Sequence, residues 1–387
     1  MIAVLFLAHS AYYFGWIIDD AFVSFRYAHH LAHGDGLVFN VGERVEGYTN
    51  FAWVLLVTLG MKLGANPVLA APALGALSGL LVVLLSARWS RELSVAAGKP
   101  SVASGLPAAL LLAATPDLAF YGVSGLETAL FALLLTGGAV SLVLLRPRQF
   151  AAFTAAAFLT RPEAGLLAVI GVAVFALRAR GAVAVPAQAP AGVEETAPEE
   201  TAPVEGETPA KAKGEAQAPP AGAGEWRASS GRRDLAEAAG ILAVVIGGYL
   251  VWKQVYFGSL FPNTLAAKPP SIKAGLGYVG RALPALLGVL AAAAAGASSS
   301  RRHAALLGVF GVFAVSVVLE GGDFMPVYRM LLPSLPMLFI AADRQICAWA
   351  ARPSDRKGLL GVAVVVAAFA YVRCGSMMHR RSSSRRR

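Results

Sequence analysis

The 387 residues are 57% hydrophobic and only 14% charged, with a mean hydropathy of +0.61, whereas a soluble globular chain carries about 25% charged residues. That composition excludes an ordinary water-soluble enzyme and predicts an all-α polytopic membrane protein. The net charge of +10 would suit nucleic acid, but the basic residues sit in short loops beside apolar runs and in an Arg-rich tail, as the positive-inside bias produces, so no nucleic-acid partner is expected.

In chain order, the apolar run from Met1 to Ile18 has no basic leader and no small-residue cleavage site, so it reads as a span rather than a signal peptide. Asp19 and Asp20 stand at its outer end, and Ala21 to His33 is compatible with a helix. Residues 34–46 are rich in turn formers and predict a compact loop able to act as a lid. The run from Phe51 to Gly64 is short for a crossing and reads as an interfacial helix. Further spans are predicted over 68–87, 102–120, 129–145, 149–160, 163–177, 235–253, 279–297, 304–319, 329–343 and 358–373, about 11 with the first. Residues 181–231, rich in Pro, Ala, Glu and Thr, have no apolar periodicity and predict a disordered cytoplasmic linker. It divides an N-terminal membrane module, 1–180, from a C-terminal one, 232–373, and a basic tail follows at 374–387. Cys347 and Cys374 lack the spacing of a zinc site or a disulfide framework.

With the N-terminus inside, Arg88, Arg91, Lys99, Arg146, Arg148, Arg178, Arg301, Arg302 and the run Arg344 to Lys357 fall on the inner side. The Arg-rich tail falls outside, the one exception to the bias. Six polar motifs then lie on the outer side: Asp19-Asp20, Glu46 to Asn50, Ser124 to Glu127, Arg161 to Glu163, Pro262-Asn263, and Gly321 to Asp323. Charged groups at span ends are commonly solvated or snorkelling, but a set drawn from distant parts of the chain onto one face predicts a shared cavity.

The carboxylates Asp19 and Asp20 suit either a helix cap or a general base, since a neighbouring negative charge and partial desolvation both raise a carboxyl's proton affinity. Spacing does not choose between them. Arg329, with Asp323 in the same loop, can hold an anionic phosphate through bidentate contacts, or the two can close the turn as a salt bridge. Lys268 and Arg26 are further cations for that phosphate. Glu46, Tyr48, Asn50, Glu127, Arg161, Glu163 and Asn263 are supporting or substrate-binding candidates, with a local Arg161–Glu163 ion pair as the plainer alternative. His29, His30 and His33 have helical spacing, but solvated or phosphate-facing roles are favoured over metal ligation and no metal site is assigned. No resident cofactor is assigned, and a divalent cation is compatible with the site.

The strings Asp19 to Tyr27, Gly36 to Asn40, Glu43 to Asn50, Ser124 to Thr128, Leu260 to Thr264 and Gly321 to Pro326 resemble the GT-C membrane glycosyltransferases, and within them the mycobacterial terminal arabinofuranosyltransferase type. The resemblance implies a GT-C-like helical bundle and a polyprenyl-phosphate sugar as donor. It also implies a glycan, lipid or protein acceptor in the cell envelope, transfer on the outer side of the cytoplasmic membrane, and a catalytic carboxylate in the first outer loop, here Asp19 or Asp20. Proteins of that type carry a soluble outer domain after their last spans, whereas here a short basic tail follows. The competing class is a transporter or flippase for a lipid-linked sugar. Acids at the outer ends of spans whose interiors are nearly free of charge favour catalysis over passage.

Overall fold

The computed structural model describes residues 1–98, 101–182, 223–260, 271–325 and 327–351. The span expected at 358–373, the basic tail, most of the linker, Asn263 and Lys268 lie outside the described residues. Among those described, every regular element is helical: α1 (Ile2–Ala11), α2 (Asp19–His33), α3 (Phe51–Lys62), α4 (Pro67–Ala96), α5 (Leu106–Ala113), α6 (Pro116–Val123), α7 (Thr128–Val143), α8 (Pro147–Thr160), α9 (Gly165–Ala179), α10 (Ala223–Leu242), α11 (Gly248–Phe257), α12 (Ile272–Ser298), α13 (Arg301–Glu320) and α14 (Leu335–Ala350).

Five stretches among the described residues are long and apolar enough to cross a bilayer: Pro67–Ala96, Pro162–Ala179, Ser230–Phe257, Ile272–Ser298 and Arg301–Glu320. A sixth arises if the α5–α6 pair, bent by 60°, counts as one. Ten of the eleven spans expected from hydropathy fall on described residues, and fewer are found there because several apolar runs fold into helices well short of the ~20 residues a crossing needs. The run from Met1 to Ile18 yields only the 10-residue α1, about 15 Å long at 1.5 Å per residue, and Gly15, at φ +94°, turns the chain before α2. The run over 102–120 breaks where Pro116, lacking an N–H, begins α6. The expected span at 329–343 starts later, at Leu335, because Gly321 to Ser334 is used for a loop and the 3-10 turn Leu332–Ser334.

Helix α7 is the axis of the bundle. It is apolar all round and buried along almost its whole length, as such a helix must be. Gly137 and Gly138 let α8 approach, since a Cβ on either would stand within 2.7 and 2.8 Å of Phe153 and Thr154 side chains. Small residues serve the same purpose where α4 crosses α6: a Cβ on Gly75 would lie 2.3 Å from the Gly122 carbonyl oxygen. Such contacts drive helix association where lipid removes the hydrophobic advantage.

The two ends of the bundle differ in charge. At one end Arg88 and Arg146 pair with Glu92, Arg148 and Arg233 with Glu237, and Arg178 with Asp234. The other end carries the start of α2, the turn before α7, the end of α8 and the loop after α13, and there the polar motifs that fall on described residues meet.

Candidate functional site

The start of α2 is fixed by the turn that precedes α7. The Ile18 N–H donates to the Ser124 carbonyl at 3.1 Å, and Trp53 Nε1 donates to the Gly125 carbonyl at 3.1 Å. Gly125 has φ +85°, and a Cβ there would stand 3.0 Å from Ala21 Cβ and 3.3 Å from Ile17. Glycine thus satisfies both a left-handed backbone and a close approach. Gly125→Ala is expected to displace the first turn of α2, lowering any activity that depends on Asp19 or Asp20 more than it lowers folded yield. Gel-filtration yield measured beside activity tests this, and loss of both together would mean a general folding defect.

Asp19 and Asp20 occupy the first turn of α2, whose N-cap, Ile18, offers no side-chain bond. The partly positive helix end favours both carboxylates. They are used differently. Asp19 Oδ1 accepts the Asp20 N–H at 3.0 Å, so of the two acids it is Asp19 that satisfies a free N–H of the first turn. Asp20, with a half-exposed side chain (51%), reaches across to Arg329, Oδ2 to Nη1 3.7 Å. Arg329 is itself gripped from behind by Asp323, Nη2 to Oδ2 2.8 Å, with both side chains largely buried.

The loop that carries Arg329 is held tightly. The Tyr328 N–H donates to Asp117 Oδ1 at 2.7 Å, the Met330 N–H donates to the Tyr278 hydroxyl at 3.1 Å, and the Tyr328 hydroxyl donates to the Arg281 carbonyl at 2.8 Å. Gly321 and Gly322 turn the chain out of α13 at φ +91° and +71°. Val327 has φ +54°, a conformation that costs a β-branched residue about 1–3 kcal/mol and persists where surroundings impose it. Asp117, fully buried in the first turn of α6, was not among the candidates from sequence. Its only signal there is an acid directly after the Pro that breaks an apolar run.

A second group adjoins this one. Asn50 Nδ2 donates to Glu127 Oε2 at 2.8 Å and to Ser24 Oγ at 3.0 Å, linking the start of α3 to α7 and to α2. Glu127 Oε1 lies 3.5 Å from Arg161 Nη1, and Arg161 Nη2 contacts Glu163 Oε1 at 2.6 Å. The Arg161–Glu163 pair is thus the local ion pair the sequence offered as the plainer alternative, extended through Glu127 into a network. Its members are mostly buried, so it holds elements in register.

The third group binds the first outer loop to α11. Glu46 Oε2 lies 2.8 Å from Lys253 Nζ, both side chains under a tenth exposed. Burial pushes the Glu46 carboxyl above its ordinary range, against the opposing pull of the Lys253 ammonium. The Tyr27 hydroxyl donates to the Val45 carbonyl at 2.7 Å and accepts the Gly47 N–H at 2.8 Å, and the Tyr256 hydroxyl accepts the Leu37 N–H at 2.9 Å. Tyr48 is buried against Tyr27. Arg26 donates to the Phe39 carbonyl at 2.7 Å and to Asn40 Oδ1 at 3.0 Å and lies over the Phe39 ring. The structure therefore places Arg26 in the loop's own framework. His30 Nδ1 lies 3.0 Å from the Val38 carbonyl and His33 Nδ1 2.8 Å from the His29 carbonyl.

Lys253 is the last residue of the span predicted over 235–253, and nothing in that position signals a partner for it. Removing one member of a buried ion pair leaves the other charge stranded, at about 3–5 kcal/mol, whereas replacing both with apolar groups is often nearly neutral. Glu46→Gln or Lys253→Met alone is expected to lower the unfolding temperature in detergent far more than the double substitution does. Equal losses in single and double variants would show that the pair is not what ties the loop down.

No family model and no solved structure matches the chain. The terminal β-(1→2)-arabinofuranosyltransferase of Mycobacterium tuberculosis is 36% identical to it over 118 residues, which cover 30% of this chain and 19% of that protein. The matched stretch thus spans about a fifth of that relative's length, and over it the chain is similar to part of a glycosyltransferase.

Proposed function

We propose that the chain is a membrane glycosyltransferase of the GT-C type. It transfers a sugar, arabinofuranose by analogy with its relative, from a polyprenyl-phosphate donor to a cell-envelope glycan, lipid or protein on the outer side of the cytoplasmic membrane. The observation that carries this reading is the meeting of Asp20 with Arg329 and Asp323, brought from opposite parts of the chain to one end of the bundle. The partial likeness to an arabinofuranosyltransferase supports the sugar-transfer class.

In this reading the acceptor hydroxyl oxygen attacks the anomeric carbon and forms the new glycosidic bond. The bond from that carbon to the phosphate oxygen breaks, its electron pair leaves on the phosphate, and the hydroxyl proton passes to Asp20. Arg329 neutralises charge growing on the phosphate. Inverting displacement needs base and leaving group on opposite faces of the sugar, and paired carboxyls in inverting glycosidases stand about 6.5–9.5 Å apart for the same reason. The 3.7 Å contact between Asp20 and Arg329 is too close for that. The donor phosphate therefore takes the place of Asp20 on Nη1, and the half-exposed Asp20 swings toward the acceptor while Asp323 keeps Arg329 still. Asn50, Glu127, Arg161 and Glu163 hold α2 in register for this exchange, and Arg26, Glu46 and Tyr48 keep the outer loop in shape. Lys268 remains a proposed donor-phosphate residue, and Asn263 a proposed supporting or substrate-binding one, on sequence grounds.

The test is transfer of radiolabelled sugar from a panel of polyprenyl-phosphate donors by membranes containing the chain at known expression. Transfer above membranes lacking it supports the reading. Labelled lipid crossing the bilayer without transfer would replace it with the flippase.

A further inference from the structure

The end of the bundle opposite Asp20 holds a cavity that sugar transfer does not use. The 20-residue α13 separates the two ends by about 30 Å, with the Asp323 loop after it and Ser299 just before it. Around Ser299 the last turns of α4 and α14 and the segment entering α5 enclose a volume of about 380 Å³, within the range of small-molecule sites. Its polar wall is Ser94, Ser101, Ser104, Ser299, Arg344 and Gln345.

Among the described residues, two of these groups have no protein partner. Ser94 is 1% exposed and its Oγ has no hydrogen-bond partner; Arg344 is half-buried, and its Nη1, itself shielded from solvent, has none either. Arg344 makes no ion pair among the described residues. The adjacent carboxylate, Asp343, is already engaged: it accepts the Ser90 hydroxyl at 2.7 Å and the Gly105 and Ala108 N–H groups at 2.8 and 3.0 Å. His303 Nε2, at the same end, is also buried without a partner. Leaving an arginine nitrogen and a hydroxyl unsatisfied costs free energy that a bound group would recover. Ser299 donates its hydroxyl to the Gly296 carbonyl at 3.0 Å, while among the described residues the Ser101 and Ser104 hydroxyls only accept backbone N–H groups; a guanidinium beside the hydroxyls of Ser94, Ser101 and Ser104 and an amide suits a tetrahedral oxyanion, and phosphate above all. Trp349 lines the same cavity, an amphipathic ring of the kind found at headgroup level.

We propose that this cavity binds a phosphate group, held by Arg344 with Ser94 and the neighbouring serines. Basic pockets between membrane helices take anionic headgroups, and free phosphate presents the same chemistry. The proposal does not depend on the sugar-transfer reading.

The test uses the purified full chain in detergent, with thermal unfolding measured against added short-chain phosphatidylglycerol, phosphatidylcholine at the same concentration, and inorganic phosphate. A rise with phosphatidylglycerol beyond that with phosphatidylcholine supports the proposal with a lipid as source. A rise with inorganic phosphate that phosphatidylglycerol does not exceed supports it with free phosphate as source. In either case Arg344→Gln is expected to weaken the apparent affinity at least tenfold, Ser94→Ala by a smaller factor, and Arg344→Lys to retain part of it. Should Arg344→Gln not fold, the Ser94→Ala and Arg344→Lys variants decide. No rise with inorganic phosphate together with none from phosphatidylglycerol beyond that with phosphatidylcholine, or unchanged affinity in all variants that fold, would overturn the proposal.

Discussion

Asp20→Asn is expected to reduce sugar transfer by about 10²–10⁴-fold, the usual contribution of a positioned general base, while leaving the protein folded. Asp20 is half exposed and its ion-pair contact among the described residues is the 3.7 Å approach to Arg329, so the isosteric amide disturbs little packing. Asp19→Asn is expected to cost much less, because Asn keeps an oxygen able to accept the Asp20 N–H that Asp19 now accepts at 3.0 Å. The comparison is informative because the two acids are adjacent and share the same helix end, which would treat them alike if only the dipole mattered. Matched-expression membranes, assayed with the donor that the wild type uses, give the ratio directly. Equal loss in both variants would mean that the pair acts through charge at the helix end and not through a base at Asp20. Full activity in Asp20→Asn would remove it from the chemistry.

The meeting of Asp20, Arg329 and Asp323 was legible in the sequence as a gathering of polar motifs on one side, because charge at the ends of apolar runs is costly to place at random. The chain of Asn50, Glu127, Arg161 and Glu163 was legible for the same reason. What sequence could not supply was how the two acids divide their work, since the N-cap falls at Ile18 and that depends on where the Ser124 turn docks. Lys253 and Asp117 were missed for a related reason. Each belongs to an apolar run and finds its partner, Glu46 or the Tyr328 N–H, through tertiary packing across many residues. Hydropathy separated helix from loop well and misjudged lengths. A run of apolar residues reports burial, but Gly15 and Pro116 decide how much of it is one straight helix. Arg26 shows the opposite limit: a cation in the right neighbourhood whose guanidinium is occupied by Phe39 and Asn40.

Replacing Arg329 is expected to have an effect of similar size through a different route. Arg329→Gln should lower transfer about 10²–10³-fold, the cost of losing one oriented group that meets developing charge, and should weaken donor binding as well. Arg329→Lys keeps the charge but not the planar fork that lets one guanidinium hold Asp323 through Nη2 while offering Nη1 outward, so it should restore donor binding more than turnover. Asp117 bears on positioning, for it accepts the backbone N–H of Tyr328 and so helps to hold this loop. Asp117→Asn keeps an acceptor and should be mild, whereas Asp117→Leu leaves the N–H unpaired and lets the guanidinium drift, lowering kcat more than it raises KM. If Arg329→Lys matched the wild type in both constants, a point charge would suffice at the phosphate and the grip of Asp323 would serve only to close the turn. If Asp117→Leu changed KM alone, the loop would govern donor capture and not the alignment of the bond that breaks.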